Sequence, residues 1–252
     1  MKNPKSILIT GASSGIGEAL AKAYAGPGVT LALGGRDRDR LDRVARACTA
    51  TGAVATSHIA EVTDRAAMVD WILEADKVAP LDLVIANAGI STQTRKDLEL
   101  EQQTRDVFAA NVEGVFNTVF PALKRMRPRG RGQIGIVSSM AGFHGLPSSP
   151  AYSTSKVAVK GFGEALRGVY YREGIRVSVI CPGYVTSPMT AHNRFAMPFL
   201  MDADRAARII EKGLSRGKAR IAFPWQMAVV LRLALLLPER WLDPLLRQPV
   251  KK

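Results

Sequence analysis

The sequence predicts an α/β fold, a doubly wound parallel sheet with helices on both faces. Three observations predict it. Short apolar, β-branched runs alternate with longer stretches of helical periodicity, the pattern of strands buried on both faces and of the helices that cover them. A glycine-rich turn, Gly11 to Gly17, stands between the first such run and the first helical stretch. Polar motifs follow the ends of the apolar runs, where open parallel sheets bind their ligands. At 252 residues, 47% of them hydrophobic, the chain is long enough for one large core.

Ser6 to Thr10 reads as the first strand. It runs into Thr10-Gly11-Ala12-Ser13-Ser14-Gly15-Ile16-Gly17 and then a helix from about Glu18 to Ala25. Strand, turn and helix together form a Rossmann-type phosphate cradle. Gly11 permits the tight turn, Gly15 lets backbone approach a pyrophosphate, and Gly17 lets helix and strand pack closely. The helix N-terminus, with Ser13, Ser14 and Ile16 around it, supplies N–H donors and partial positive charge. Val29 to Leu33 is the second strand. Gly34, Gly35 and Arg36 follow it, where a carboxylate is expected for a free ribose 2′-hydroxyl. A guanidinium there binds a 2′-phosphate, so NADP(H) is favoured over NAD(H). Asp37 lies twenty residues past Gly17, but capping of the next helix is a sufficient reason for it.

Arg38 to Thr49 is an amphipathic helix with Leu41, Val44, Ala45 and Cys48 inward. Ala53 to Ile59 is the third strand and leads into Glu61-Val62-Thr63-Asp64; a helix follows from Arg65 to about Lys77. Leu81 to Ile85 is the fourth strand, ending in Asn87-Ala88-Gly89-Ile90. Leu98 to about Arg127 is helical in pattern, with Asn111 among Val107, Phe108, Val112 and Val115. Alone, Asn111 reads as a buried amide that satisfies a backbone group. A basic turn, Arg127 to Gly132, precedes the fifth strand, whose end falls at Ser138 or Ser139.

Pro147 and Pro150 keep the next segment out of helix, and a helix begins near Ala151. On it Tyr152 and Lys156, four apart, share one face. A phenol titrating near about 10 is a poor acid-base group at neutrality. An ammonium held beside it lowers that value, and a strand-end serine can hold a substrate oxygen while the phenol exchanges a proton with it. By themselves a tyrosine and a lysine at this spacing are a weak signal. Arg176 to Ile180 is the sixth strand and ends in Cys181-Pro182-Gly183-Tyr184-Val185-Thr186. Ser187 to Phe199, rich in proline, methionine and phenylalanine, suits a mobile apolar flap; an ordinary packed loop is the plainer reading. A helix over Asp202 to Gly217 and a last strand, Arg220 to Phe223, complete a catalytic domain over 1–223, with its substrate flap at about 187–217.

The extension, 224–252, is apolar from Trp225 to Leu246. It is too short to span a bilayer and is interrupted by Arg232 and Pro238. It is read as packing on the body, on a second subunit, or on a membrane surface as an interfacial anchor.

Composition excludes several classes. Cys48 and Cys181 read as reduced thiols rather than a disulfide framework. His58, His144 and His192 are scattered, so no metal-ligand spacing exists. Met1 to Ser6 leaves no room for a signal peptide before the first strand, and a cytoplasmic location is expected. The net charge of +13 admits nucleic acid, anionic lipid or a phosphorylated ligand. The two basic runs, Arg36 to Arg46 and Lys124 to Arg131, do not interleave aromatics as a single-strand binder would. Nucleic acid is therefore not expected, and both runs read as solvated helix faces, Arg36 excepted.

Thr10-Gly11-x-x-x-Gly15-Ile16-Gly17, Asn87-Ala88-Gly89, Asn111, Ser139, Tyr152-x-x-x-Lys156 and Pro182-Gly183 stand in one order along the chain. In this the chain resembles the short-chain dehydrogenases/reductases over about residues 5 to 190. The resemblance implies Tyr152 as acid-base, Lys156 as the group that lowers its pKa and holds the nicotinamide ribose, Ser139 as the group that orients the substrate carbonyl or alcohol, and Asn111 as the holder of a water linking Lys156 to solvent. Ser139 is preferred to Ser138 because the family's serine lies thirteen residues before its tyrosine. The resemblance also implies that Asn87, Ala88 and Gly89 line the cofactor, that Val185 and Thr186 meet its carboxamide, and that Glu61 and Val62 lie by the adenine. Glu61 departs from the family's aspartate there. A homodimer or homotetramer acting on a small-molecule carbonyl or alcohol is implied. Fold alone does not prove chemistry, so a non-catalytic NADP(H) sensor or membrane-associated scaffold stands as the alternative. Phe143, His144, Leu146, Tyr184, Met189, Phe195 and Phe199 suggest an apolar pocket.

Overall fold

The structure is a computed structural model that describes residues 2–92, 98–191, 193 and 195–246. His192, within the predicted flap, and residues 247–252 of the extension lie outside the described residues.

In the first half of the chain, β1 (Ser6–Thr10), α1 (Gly15–Tyr24), β2 (Thr30–Gly35), α2 (Arg38–Thr49), β3 (Val54–Ile59), α3 (Arg65–Val78) and β4 (Leu83–Ala86) alternate. Then come α4 (Leu100–Phe108), α5 (Gly114–Met126), β5 (Gly132–Val137), α6 (Pro150–Tyr170) and β6 (Ile175–Pro182). The short α7 (Pro188–Ala191), α8 (Ala203–Ser215), β7 (Arg220–Phe223), α9 (Trp225–Ala234) and α10 (Glu239–Leu246) complete the order. The strands form one parallel sheet in the order β3-β2-β1-β4-β5-β6-β7. The chain builds outward from β1 on one side and returns beside it with β4, which leaves a crevice beyond the carboxyl ends of β1 and β4.

Alternation along the strands sorts side chains between two apolar layers. Ile7 and Ile9 join Leu20, Leu41, Ile210 and Leu214 on one face. Leu8 joins Met68, Trp71, Val119 and Val159 on the other. Each large aliphatic buried this way stabilises the fold by about 1.5–3 kcal/mol. Helix starts are set locally: Asp37, Asp64 and Asp202 accept hydrogen bonds from the amides of Arg40, Ala67 and Arg205 at 3.0, 3.0 and 2.7 Å. Pro150 occupies the first turn of α6, where a missing N–H does no harm.

Two features differ from the sequence expectation. The long helical stretch before β5 is broken by a π-helical turn, Ala109–Glu113, which carries Asn111. The run Lys124 to Arg131 is not simply a solvated face. Arg125 Nε and Arg129 Nη1 donate to the buried Asp76 carboxylate at 2.9 and 2.7 Å, and Leu81 N–H donates to it at 2.9 Å. Burial works against the Asp76 charge, but these donors outweigh it and hold the carboxyl below its usual range. The cluster lies just before β4 and β5, at the amino ends of the strands.

Candidate functional site

The glycine turn begins where β1 ends. Gly11 has φ +66, and a Cβ there would stand 2.9 Å from Ala88 Cα. Gly17 is stricter: a Cβ would stand 2.1 Å from the Gly11 carbonyl oxygen. Gly17 thus packs the helix onto the turn itself rather than onto the strand. Ser14 makes no side-chain cap at the start of α1, so no side chain competes with an anion for the first amides. Such a cradle fits a dinucleotide pyrophosphate.

Thr10, quoted in the motif from sequence but given no role there, locks the turn to β4. Its Oγ1 accepts from the amides of Asn87 and Ala88 at 3.0 and 3.1 Å. Asn87 Nδ2 donates to the carbonyls of Thr10 and Gly11 at 3.0 and 3.1 Å. The Asn87 amide nitrogen therefore braces the cradle. The available signal was a β-branched hydroxyl at a strand end, one residue before a required glycine.

At the end of β2, Gly35 lies against Ser13: a Cβ there would be 3.2 Å from Ser13 Cβ. Arg36 follows, largely exposed, with Nη1 3.9 Å from Glu61 Oε2. Asp37 is occupied by its cap and by an ion pair with Arg40 Nε at 2.9 Å. Glu61 accepts from Thr63 N and Oγ1 at 3.4 and 3.2 Å. Val62 is buried, and its carbonyl accepts from Asn117 Nδ2 at 2.9 Å.

Beyond β5 the predicted Asn111, Ser139, Tyr152 and Lys156 come to one place. The π-helical turn swings Asn111 inward, fully buried. Its Oδ1 accepts from Ile90 N at 2.8 Å, and its Nδ2 donates to Ile90 O and Ser155 Oγ, both at 3.0 Å. Ser155, another residue missed from sequence, bonds back to Tyr152 O at 2.7 Å and so ties Asn111 to α6. Lys156 Nζ donates to Val137 O at 3.0 Å and lies 5.7 Å from the centroid of the Tyr152 ring. Gly89 backs this group: a Cβ there would be 2.9 Å from Asn111 Oδ1 and 3.4 Å from Lys156 Nζ. Ser138 is buried and donates to Lys156 O at 2.7 Å, a supporting role. Ser139 accepts from Ala141 N at 3.1 Å and lies within hydrogen-bonding reach of Tyr152.

The electrostatics differ from the sequence expectation. Burial pushes the Tyr152 phenol up; the Ser139 hydroxyl opposes the rise and the Tyr184 phenol adds to it. The Lys156 ammonium does not offset this here, being directed at the Val137 carbonyl. Burial draws Lys156 itself down to about 8, against the pull of the nearby Cys181 thiol.

On the far wall, the Pro182-Gly183 motif ends β6. Gly183 N–H donates to Phe223 O at 2.7 Å. Val185 is buried and bridges to Met201. Thr186 N–H donates to Met201 O at 2.9 Å. Phe143, expected to line the pocket, is flanked by cations: Lys160 Nζ and Arg220 Cζ lie 5.8 and 5.5 Å from its ring centroid. Tyr184 and Phe195 meet edge to face, with centroids 5.9 Å apart.

A glycine cradle at the switch point of a parallel sheet, with a serine, a tyrosine and a lysine at its open end, defines a nicotinamide dinucleotide-binding oxidoreductase. The chain belongs to the short-chain dehydrogenase family, whose model, described as short chain dehydrogenase, matches residues 5–197. It is 39% identical over 245 residues to an uncharacterized oxidoreductase of Myxococcus xanthus, covering 97% of both chains. It superimposes with a TM-score of 0.84 on a short-chain dehydrogenase/reductase from Burkholderia phymatum solved in complex with NAD, at 21% identity, covering 100% of this chain and 99% of that one. A short-chain dehydrogenase from Sphingobium yanoikuyae in complex with NADPH gives 0.77 at 24% identity, covering 91% and 94%. The protein is thus an oxidoreductase of alcohol or carbonyl groups that uses a nicotinamide cofactor.

Proposed function

We propose that the protein is an NADP(H)-dependent oxidoreductase acting on a carbonyl or alcohol of a largely apolar small molecule. The observation that carries this reading is the convergence of Asn111, Ser139, Tyr152 and Lys156 from α5's π-helical entry, the end of β5 and α6. The bound nicotinamide supplies hydride exchange. Ser139 holds the substrate oxygen; Tyr152 gives it a proton or takes one. Lys156 sits beneath the pair, and Asn111, fixed by Ile90 and Ser155, carries the link from Lys156 toward solvent. Gly11, Ser13, Ser14, Gly15, Ile16 and Gly17 hold the pyrophosphate; Asn87, Ala88 and Gly89 shape the floor.

The preference for NADP(H) rests on Arg36 being exposed beside Glu61 while Asp37 is consumed by its cap. The apolar substrate class rests on Tyr184, Met189, Phe195 and Phe199. The catalytic unit is taken as 1–223, with 224–252 an extension whose helices pack on it. A non-catalytic sensor is the less favoured reading, because such a protein has little reason to keep the whole set.

A panel of apolar ketones and alcohols, followed by NADPH or NADP⁺ absorbance, tests the proposal. Tyr152→Phe should lower turnover by at least about a thousandfold while NADPH affinity stays within about twofold. Turnover surviving in that variant would refute the assignment.

A further inference from the structure

Helix α9 is apolar on two opposite sides. Its inner side belongs to the body: Ala228 is buried, and Met227 Sδ lies 3.1 Å from where a Cβ on Gly183 would stand. The same helix packs against the turn Met140–Phe143 that follows Ser139. Its outer side has no cover among the described residues. Trp225 is 68% exposed, Val230 65%, Leu233 60% and Leu236 79%. At roughly 100° per residue Trp225, Val230 and Leu233 fall in one arc with Val229, and Arg232, also exposed, marks the edge of that arc; Leu236 follows in the turn after the helix. A globular helix keeps its apolar stripe inward and its charges outward. An outward stripe of this size on a soluble domain marks a contact surface.

We propose that this outer face of α9, together with the exposed Trp241 of α10, seats on an anionic lipid surface beside the open end of the site. Charge selects the occupant. Over the described helices Arg232 and Arg240 balance Glu239 and Asp243, and the sequence that follows adds only positive charge, Arg247, Lys251 and Lys252. The whole chain has net charge +13, which an anionic bilayer attracts. The residue types agree. Indole rings sit at the level of the lipid headgroups, and arginine lays its stem along apolar surface while its head stays polar. Arg240 Cζ lies 5.5 Å from the Trp241 ring centroid, such a pair. With 10 residues α9 is far short of the roughly 20 that cross a bilayer, and no helix among the described residues is long and apolar enough to do so. The pair therefore lies in the plane of the surface.

The docking stands on this geometry alone. Its consequence rests on the proposed function: since the inner side of α9 touches the Ser139 turn and Gly183, seating places the bilayer next to where an apolar substrate enters.

Flotation of the full chain with vesicles of phosphatidylcholine, alone or with about 30% phosphatidylserine, tests the docking without any activity readout. Wild type should float with the anionic vesicles at least about tenfold more than with neutral ones, and should be released by about 0.5 M salt. Its tryptophan emission should shift to the blue on anionic vesicles through Trp225 and Trp241, since Trp71 is already buried. Val230→Glu with Leu233→Glu should remove flotation and blue shift together while thermal unfolding is unchanged. If that double variant fails to fold, Trp225→Ala with Leu236→Ala should cut flotation at least about fivefold. Equal partition onto neutral and anionic vesicles, or flotation undiminished in a folded variant, would overturn the proposal. So would a wild-type dimer that light scattering shows split by Val230→Glu with Leu233→Glu, which would make a second copy the occupant. Loss of turnover with flotation intact would strike the enzyme reading only.

Discussion

Lys156 is held by Val137: its Nζ donates to that strand-end carbonyl at 3.0 Å and lies 5.7 Å from the centroid of the Tyr152 ring. One cation is thus anchored to the sheet at the exact carbonyl that precedes Ser138 and Ser139. Its position under the site is set by β5 and does not depend on the phenol's charge.

The first prediction concerns this buried amine. Lys156 is drawn down to about 8 from 10.5. Between those values the unfolded chain binds more protons than the folded one, so the contribution of this group to stability rises with pH through that window and is lowest below it. Urea unfolding of wild type and Lys156→Met across pH 7.5 to 10 should show a steeper rise in wild type, by up to about 1.4 kcal/mol per pH unit. Parallel curves would contradict the burial argument.

Arg36→Ala should raise the Michaelis constant for NADPH by about ten- to a hundredfold, the size of a lost charge-assisted contact. The constant for NADH should move less than about threefold. Steady-state kinetics with both cofactors decides it, and equal shifts would remove Arg36 from 2′-phosphate recognition.

Asp76→Asn leaves Arg125 and Arg129 facing a neutral amide and should destabilise the fold by about 3–5 kcal/mol. The native carboxyl is held low despite its burial. Its stabilisation is present above the ordinary carboxyl value of about 3.9 and disappears as pH falls through the depressed one. Denaturant curves at pH 7 and about pH 3 should find the two proteins far apart at the first and closer at the second.

Ser155→Ala should release Asn111 from α6 while leaving its two bonds to Ile90. We expect kcat to fall about fivefold, one hydrogen bond's worth, with the Michaelis constant for NADPH unchanged and the pH–rate profile displaced. A stability loss with kcat intact would assign Ser155 to packing alone.

Most of the fold could be read in advance because apolar runs and caps are local. Asp37 and Asp64 announced their helices, and Gly11 to Gly17 announced the crevice. That the candidate site residues carried by motifs, Ser139, Tyr152 and Lys156, lie near one another was legible for the same reason. What stayed hidden depends on contacts between distant segments. The π-helical turn at Asn111 has no periodicity of its own to betray it. Thr10 and Ser155 gain their roles only when the end of β4 and the π-helical turn arrive beside them. The sorting of Lys124 to Arg131 into two buried-carboxylate donors and exposed neighbours needed the position of Asp76. The sequence points to the lysine beside the Tyr152 phenol, but not to the burial that pushes the phenol up, which depends on how α6 packs.

The arginine clamp on Asp76 stands at the amino ends of the strands, and the cradle stands at their carboxyl ends. A chain built this way can change its substrate by rewriting loops at one pole without disturbing the keel at the other. Directed evolution confined to the flap and α9 should therefore meet few variants that collapse, whereas the same diversity spread over residues 76 to 82 and 125 to 129 should yield mostly insoluble chains.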